Sequence, residues 1–183
     1  MTSDPAAAPE PDPALAPSPA RPPPRMGWFS ARRLTQGELR LARQVFGDAI
    51  PYRRIRIVQL PPLPWGAMVP FGRRIYYARW RAAKDFADAE RAEQGWFIHE
   101  LAHVWQAQRG VPLAFAKLAA LGRGAYKVPK RPFAQMSIEA QAEVARKLFL
   151  ARAGEPAPDG PDPEELEKLW TEAPKRRKER LAY

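Results

Sequence analysis

Apolar residues recur at helical spacing in five parts of the chain, and each part predicts a helix. Thr35 suits the N-cap of the first helix, with Glu38 at the capping-box position, and Gly47 should end it. Ser137 suits the N-cap of the fourth helix, and Gly154 should end it. The predicted helices cover residues 34–47, 85–108, 112–122, 138–153 and 164–170.

Two segments have the alternation and the β-branched content of strands. Residues 52–60, YRRIRIVQL, alternate arginine with isoleucine and predict a strand with one solvent face. Residues 67–80 predict two short extended pieces around Pro70-Phe71-Gly72, of which Arg74–Ala78 is the better strand. The segment LPPLPWG between them predicts a loop, because three prolines are incompatible with a central strand. Helices and strands together predict an α+β fold.

Composition divides the chain into three regions. Residues 1–25 are mainly proline, alanine and small polar residues, and they predict a disordered arm. Residues 26–154 predict the folded domain. Residues 155–183 predict a linker, a short helix and a basic tail, in which PKRRKER (174–180) suits an electrostatic anchor.

The composition also limits the chemistry and the partners. The 183 residues include no cysteine, so any metal must be held by nitrogen and oxygen. The net charge of +10 permits binding to nucleic acid, anionic lipid or acidic protein, but no recognition-helix or phosphate-loop pattern makes nucleic acid the expected partner. No apolar run is long enough to span a bilayer, and the acidic, proline-rich start is unlike a secretory signal. We therefore expect a cytoplasmic protein, with export by a signal-independent route left open.

The segment FIHELAHVWQ (97–106) carries the two histidines of the chain. A helix turns about 100° per residue, so His99 and His103 lie on one face and Glu100 lies about 100° to the side. Two imidazoles at this spacing can bind one metal ion, and the offset glutamate can reach a water bound to it. The alternative is a structural pair of buried histidines, with Glu100 in a salt bridge.

A third ligand must come from a carboxylate, since no histidine or cysteine remains. The best candidates are Glu139 and Glu143, which lie one turn apart on a predicted helix. Glu139 can bind the metal, and Glu143 can accept the N–H of a ligand histidine. Two alternatives stay open: Glu143 is the ligand, or neither is, with Glu143 paired to Lys147.

These residues carry a resemblance to a known family. HELAHVWQ, preceded by GAMVPFGRRIYYA and followed by IEAQAEVA, resembles the zincin-like metallopeptidase domain of the gluzincin type. More narrowly, it resembles small bacterial Vgr-related domains associated with contractile-injection and polymorphic-toxin systems. The similarity runs from about Arg33 to Arg152.

The resemblance implies a role for each residue of the motif. His99, His103 and Glu139 would bind zinc, and Glu100 would activate water as the general base. Glu143 would take the position of an acidic residue behind the ligands, where aspartate is commoner.

The resemblance also implies a fold and a function. The fold would be a small zincin-like domain: an N-terminal helix, a short mixed sheet, the HExxH helix and a C-terminal helix with the third ligand. Arg74–Ala78 would be an edge strand that pairs with an extended peptide substrate. The implied function is a zinc metallopeptidase, and Tyr126 is our candidate for the oxyanion donor, although a loop tyrosine packed on the core is the simpler interpretation. The alternative is a catalytically silent zinc-binding module of a bacterial secretion or toxin-delivery system.

Overall fold

The protein's structure, a computed structural model, describes residues 23–60, 67–68, 72–113 and 127–173. Most of the predicted arm, most of the predicted helix 112–122, the basic tail and Tyr126 lie outside these residues. The division of the chain into three regions therefore remains a prediction. In the described part of the chain, no helix is long and apolar enough to cross a membrane.

The strands of the described residues form one four-stranded sheet with the order β1-β2-β4-β3. Strands β2 and β4 are parallel, whereas β1 pairs with β2 and β3 pairs with β4 in antiparallel orientation. The predicted α+β class and mixed sheet are thus confirmed. The strands are β1 Ala31–Arg32, β2 Arg56–Leu60, β3 Ala67–Met68 and β4 Arg74–Ala78.

The prediction that Arg74–Ala78 is an edge strand is wrong. β4 lies inside the sheet, because the short piece Ala67–Met68 turns back and pairs with Tyr76 and Tyr77 on the side away from β2. Gly72, which precedes β4, has a φ of 68° and passes so close to α2 that an added Cβ would lie 2.4 Å from the Cβ of Ala107. Within the described residues, the edges of the sheet are β1 and β3.

The strand predicted for residues 52–60 begins later than expected. Tyr52–Arg54 forms a single 3-10 turn, and the N–H of Ile55 donates to the carbonyl of Tyr52 to close it. Within β2, Ile57 and Gln59 face the interior with no exposed surface. The alternating pattern therefore predicts the correct faces, although one of the buried positions is polar.

Four α-helices form in the described residues, and their caps explain most of their bounds. Thr35 caps α1 with Glu38 in a complete capping box, Gly47 ends it, and Ser137 caps α3, as predicted. The helix predicted from residue 85 begins six residues later, because the Asp85 carboxylate accepts the N–H of Ala87 and caps a separate 3-10 turn. The helices are α1 Gln36–Phe46, α2 Arg91–Gln108, α3 Ile138–Arg152 and α4 Pro163–Glu172.

Helix α2 packs along α3 and also contacts α1 and β4. Gly95 allows the close approach of α3, because an added Cβ would lie 3.3 Å from side-chain atoms of both Arg146 and Leu150. Most of α2 between residues 94 and 106 is consequently buried, including its polar residues. The packing of α2 against α3 is the feature that builds the candidate site.

Candidate metal centre

Three side chains from two helices converge inside the domain. α2 presents His99 and His103 on one face, because four residues make slightly more than one turn. α3 presents Glu139 in its first turn. The Oε2 atom of Glu139 lies 3.1 Å from Nε2 of His99 and 3.3 Å from Nε2 of His103. One ligand atom from each residue lies within 4.8 Å of the others, and all three residues are buried.

The other ring nitrogen of each histidine, Nδ1, makes a hydrogen bond with a side-chain oxygen. Nδ1 of His99 lies 2.9 Å from Oε1 of Glu143, and Nδ1 of His103 lies 2.9 Å from Oε1 of Gln106. An amide oxygen only accepts hydrogen bonds, so Nδ1 of His103 must carry a proton to donate. In the neutral form with the proton on Nδ1, each histidine directs an Nε2 lone pair toward Glu139, as a metal ligand requires.

Glu143 is fixed by a cation, although not by the lysine considered in the sequence analysis. The guanidinium group of Arg146 donates to both oxygens of Glu143 at 2.8–3.0 Å and lies 4.9 Å from the centre of the Trp96 ring. Lys147 instead donates to Asp159 at 2.7 Å. The partner of Lys147 therefore lies in the segment between α3 and α4, and Lys147 is not the cation that pairs with Glu143.

A relay of amide groups connects His103 to the start of α3. The side-chain nitrogen of Gln106 donates to the carbonyl of Ile138 at 2.8 Å and to the amide oxygen of Gln141 at 3.1 Å. The nitrogen of Gln141 donates in turn to the carbonyl of Phe133 at 3.1 Å. The orientation of His103 is therefore tied to the backbone around the N-terminus of α3.

The charges around His99 favour its protonated form when no metal is bound. Burial lowers the pKa of His99, but hydrogen bonds with Glu139 and Glu143 and the charge of Glu100 outweigh burial and raise the pKa to about 9. Burial raises the pKa of Glu139, but the two histidines outweigh it and hold that pKa well below its usual range. Burial also opposes the lowering of the Glu143 pKa, which His99 and Arg146 bring about. Near neutral pH, the metal-free centre thus holds an imidazolium between two carboxylates.

Glu100 lies beside the centre, and its carboxylate is buried but incompletely hydrogen-bonded within the described residues. It is 8% exposed, and its Oε2 atom has no hydrogen-bond partner among the described residues. The buried hydroxyl of Tyr77 on β4 likewise has none in that part of the chain. Burial, and then the charge of Glu100, raise the pKa of Tyr77 well above its usual value, so the phenol is neutral. The described residues form no salt bridge to Glu100 of the kind that the structural alternative requires.

The residues of the centre fit a divalent metal ion. Two imidazole nitrogens and one carboxylate oxygen make a common three-residue set for zinc and leave further coordination positions open. Nε2 of His103 is buried and has no partner with hydrogen-bond geometry among the described residues, which suits a nitrogen that binds metal. The Nδ1 contacts supply the outer hydrogen bonds that ligand histidines usually make.

The structure brings the predicted ligands together, and it adds residues for which the sequence analysis predicts no role. Tyr126, the predicted oxyanion donor, lies outside the described residues. Gln106, Gln141 and Arg146 each orient a residue of the centre. Helical spacing offers a signal for Gln106, three residues after His103, but the contribution of Gln141 depends on how α3 packs.

The fold and the centre define a class of protein: an α+β domain with a buried pair of histidines and a carboxylate on two packed helices. No protein-family model matches the sequence. The solved effector domain of Pseudomonas aeruginosa VgrG2b is 32% identical, with a TM-score of 0.56, and the match covers 68% of this chain and 76% of that domain. The chain belongs to the family of this effector domain.

A curated relative agrees with this assignment. The type VI secretion system spike protein VgrG2b of Pseudomonas aeruginosa is 33% identical over an alignment of 135 residues, and the match covers 67% of this chain. The chain spans only 13% of the length of that relative. The predicted link to Vgr-related proteins is thereby confirmed.

Proposed function

We propose that this chain is a metal-binding effector domain that acts with a type VI secretion system. Its family includes an effector domain of a protein named as a spike of that system, which supports a secretion-system partner. The observation that carries the metal site is the convergence of two Nε2 atoms and one carboxylate oxygen in a buried position.

The metal that suits the centre best is zinc. The ligand set contains nitrogen and oxygen and no sulfur, since the chain has no cysteine. Zinc commonly takes two histidines and a glutamate when one position is left for water. Iron also binds two histidines and a carboxylate, so the metal content of the purified protein has to decide between the two.

We propose hydrolysis of peptide bonds as the activity. A zinc ion at the centre would supply Lewis acidity to water and to the scissile carbonyl group. Glu100 takes a proton from the attacking water, the water oxygen bonds to the carbonyl carbon, and Glu100 passes the proton to the departing amine as the C–N bond breaks. Oε2 of Glu100 has no donor among the described residues, which supports this role, because a general base needs an acceptor that is free to take a proton.

A second candidate is a metal-binding accessory module without catalysis. The similarity to VgrG2b supports it, since that protein is a secretion-system spike and its similar part is an effector domain. In this case His99, His103 and Glu139 would bind metal to stabilise the domain, and Glu100 would have no part in chemistry.

Metal analysis tests the shared part of both candidates. We expect about one zinc ion per chain in the purified protein, and a loss of zinc in His99→Ala and Glu139→Ala. Glu164→Ala, which removes an exposed carboxylate of α4, is the control and should keep its zinc. A protein that takes up no divalent metal would refute both candidates.

The substitution Glu100→Gln distinguishes the peptidase from the accessory module. It keeps the shape of the side chain and the three ligands, so the zinc content should not change. Cleavage of a peptide library should fall by about 10²–10⁴-fold, the usual contribution of a general base. Equal cleavage by parent and variant would remove Glu100 from the mechanism, whereas no cleavage by the parent with zinc bound would favour the accessory module.

The substrate and the cellular location are also proposals. The substrate would be a peptide or protein, and since β4 is not an edge strand, we do not propose that it pairs there. We propose a cytoplasmic protein, with export by a signal-independent route as the alternative. Comparing culture supernatants of cells with and without a working secretion system would test this.

A further inference from the structure

Three large aromatic side chains stand exposed on two turns and have no role in the metal centre. Trp28 is 57% exposed, Phe29 is 70% exposed and Trp80 is 58% exposed. Large aromatic residues that cluster at the surface of a soluble domain usually mark an interaction site. We call Trp28, Phe29 and Trp80, with Arg79 and Arg81, the aromatic-basic face.

The two turns that carry this face are joined to each other. The backbone N–H of Met26, before β1, donates to the carbonyl of Ala82, after β4, at 2.7 Å. The guanidinium group of Arg79 lies 4.8 Å from the centre of the Trp28 ring. Trp80 follows Arg79 directly, on the turn that the backbone hydrogen bond of Met26 joins to the turn of Trp28 and Phe29.

The exposed position of Phe29 is built into the structure. Phe29 has a φ of 53°, a conformation that is unfavourable for an aromatic residue. Its backbone N–H donates at 2.7 Å to the side-chain oxygen of Gln59, which is fully buried. The Ser30 hydroxyl donates to the carbonyl of Gly27 at 2.6 Å and closes the same turn. The buried glutamine thus fixes the turn in a shape that keeps Phe29 in solvent.

The surroundings of the three rings are strongly basic. The segments 23–34 and 78–84 contain six arginines and lysines and no aspartate or glutamate. Arg25 and Arg32 form ion pairs with glutamates. The other cations form no ion pair with a carboxylate in the described part of the chain: Arg33, Arg79, Arg81 and Lys84. This side of the domain therefore complements an anionic partner.

We propose that the aromatic-basic face binds the surface of an anionic lipid membrane. Tryptophan and phenylalanine insert their rings at the boundary between headgroups and acyl chains, and nearby arginines and lysines contact lipid phosphates. A single strand of nucleic acid fits less well, because Arg79 covers one side of Trp28 and the rings of Trp28 and Phe29 are inclined at 38°. The proposal does not depend on the metal centre.

Co-sedimentation of the full chain with vesicles tests the proposal. We expect binding to vesicles that contain phosphatidylglycerol and much weaker binding to phosphatidylcholine alone, with a decrease at high salt. The affinity of the variant Trp28→Ser, Phe29→Asn, Trp80→Ser for these vesicles should be lower than that of the parent by a factor of about ten or more. The variant should unfold at the temperature of the parent, because the three side chains are exposed and asparagine tolerates positive φ.

A second variant controls for the basic tail, which could attract anions without the aromatic face. Lys175→Gln, Arg176→Gln, Arg177→Gln leaves the three rings in place and should keep most of the affinity for vesicles. Addition of a chelator should change neither result.

Several outcomes would overturn the proposal. Equal vesicle affinity in the aromatic variant and the parent, or loss of binding in the tail variant alone, would show that the rings do not bind lipid. Binding to a single-stranded oligonucleotide in place of vesicles would assign the face to nucleic acid. A dimer that dissociates in the aromatic variant, without vesicle binding by the parent, would assign it to a second copy of the chain.

Discussion

The domain contains two buried carboxylate networks, and they differ in how completely their acceptors are used. Glu38 has no exposed surface, and each of its oxygens accepts two hydrogen bonds. Arg32 donates to both oxygens at 2.6 and 2.8 Å, and the backbone N–H groups of Thr35 and Phe86 donate one bond each at 2.9 and 3.0 Å. This network joins β1, α1 and the turn before α2.

The metal centre uses the same residue type at similar burial but leaves acceptors empty. Oε2 of Glu100 and Nε2 of His103 lack hydrogen-bond partners among the described residues. Buried polar groups that support a fold are almost always satisfied, and the exceptions call for an explanation. The comparison teaches that a structural carboxylate differs from one available for chemistry more in how many of its acceptors receive hydrogen bonds than in how deeply it is buried.

The substitution Glu38→Ala should break the closed network with the largest effect on stability. It leaves the partly buried guanidinium of Arg32 without its carboxylate, and the free energy of unfolding should fall by about 3–5 kcal/mol. Urea unfolding measures the loss. The folded fraction of the variant should retain its metal, and Glu164→Ala should unfold like the parent. A loss of less than about 1 kcal/mol would show that the network contributes little.

The substitution Glu143→Gln should weaken metal binding without removing a ligand. Glutamine cannot provide the negative charge that Glu143 places beside Nδ1 of His99, so zinc affinity should fall by about 10–100-fold. Competition with a chromophoric chelator measures the change. Asp159→Asn breaks a different ion pair of α3, with Lys147, and should leave the affinity unchanged. Equal losses in both variants would indicate a general disturbance of α3.

Metal binding should depend on pH through His99. The pKa of His99 in the metal-free centre is raised to about 9, so a proton must leave before zinc binds. Lowering the pH below 9 increases the protonated fraction, and zinc affinity should fall by about tenfold per unit between pH 8 and pH 6. Chelator competition at several pH values, corrected for the chelator's own protonation, measures the slope. A flat profile would show that His99 is already neutral in the metal-free protein.

The smallest expected effect concerns two tyrosine hydroxyls. The hydroxyl of Tyr77 is buried without a partner in the described residues, so Tyr77→Phe should raise the free energy of unfolding by about 1 kcal/mol. The hydroxyl of Tyr52 donates to the carbonyl of Gly47 at 2.6 Å, so Tyr52→Phe should lower it by about the same amount. Urea unfolding of both variants tests the pair. A clear loss of stability in Tyr77→Phe would show that its hydroxyl has a partner.

Features encoded within one turn of helix could be predicted from the sequence. The capping box of Thr35 and Glu38, and the shared face of His99 and His103, depend on spacing along the chain. The repulsion expected between Glu139 and Glu143 predicts a cationic group near both, without deciding which of the two is the ligand. These predictions needed no knowledge of the tertiary structure.

Features that depend on packing between distant segments could not be predicted. Whether Glu143 pairs with Arg146 or Lys147 is decided by which of them faces α2, and the spacing along α3 allows both. The position of β4 inside the sheet depends on the return of Ala67–Met68, a piece too short to give a clear strand pattern. The apolar spacing does not predict the start of α2, because a side-chain cap at Asp85 competes with the helix.

The proposed ligands also have a consequence for folding, because they are far apart in the chain. His99 and Glu139 are separated by 40 positions, and one ion bound to both would cross-link α2 and α3 across the intervening segment. A cross-link of this kind restricts the unfolded chain as a disulfide does, in a protein that has no cysteine. The thermal stability of the domain should then increase with the concentration of free metal. The metal content of the surrounding solution would therefore determine the stability of the fold.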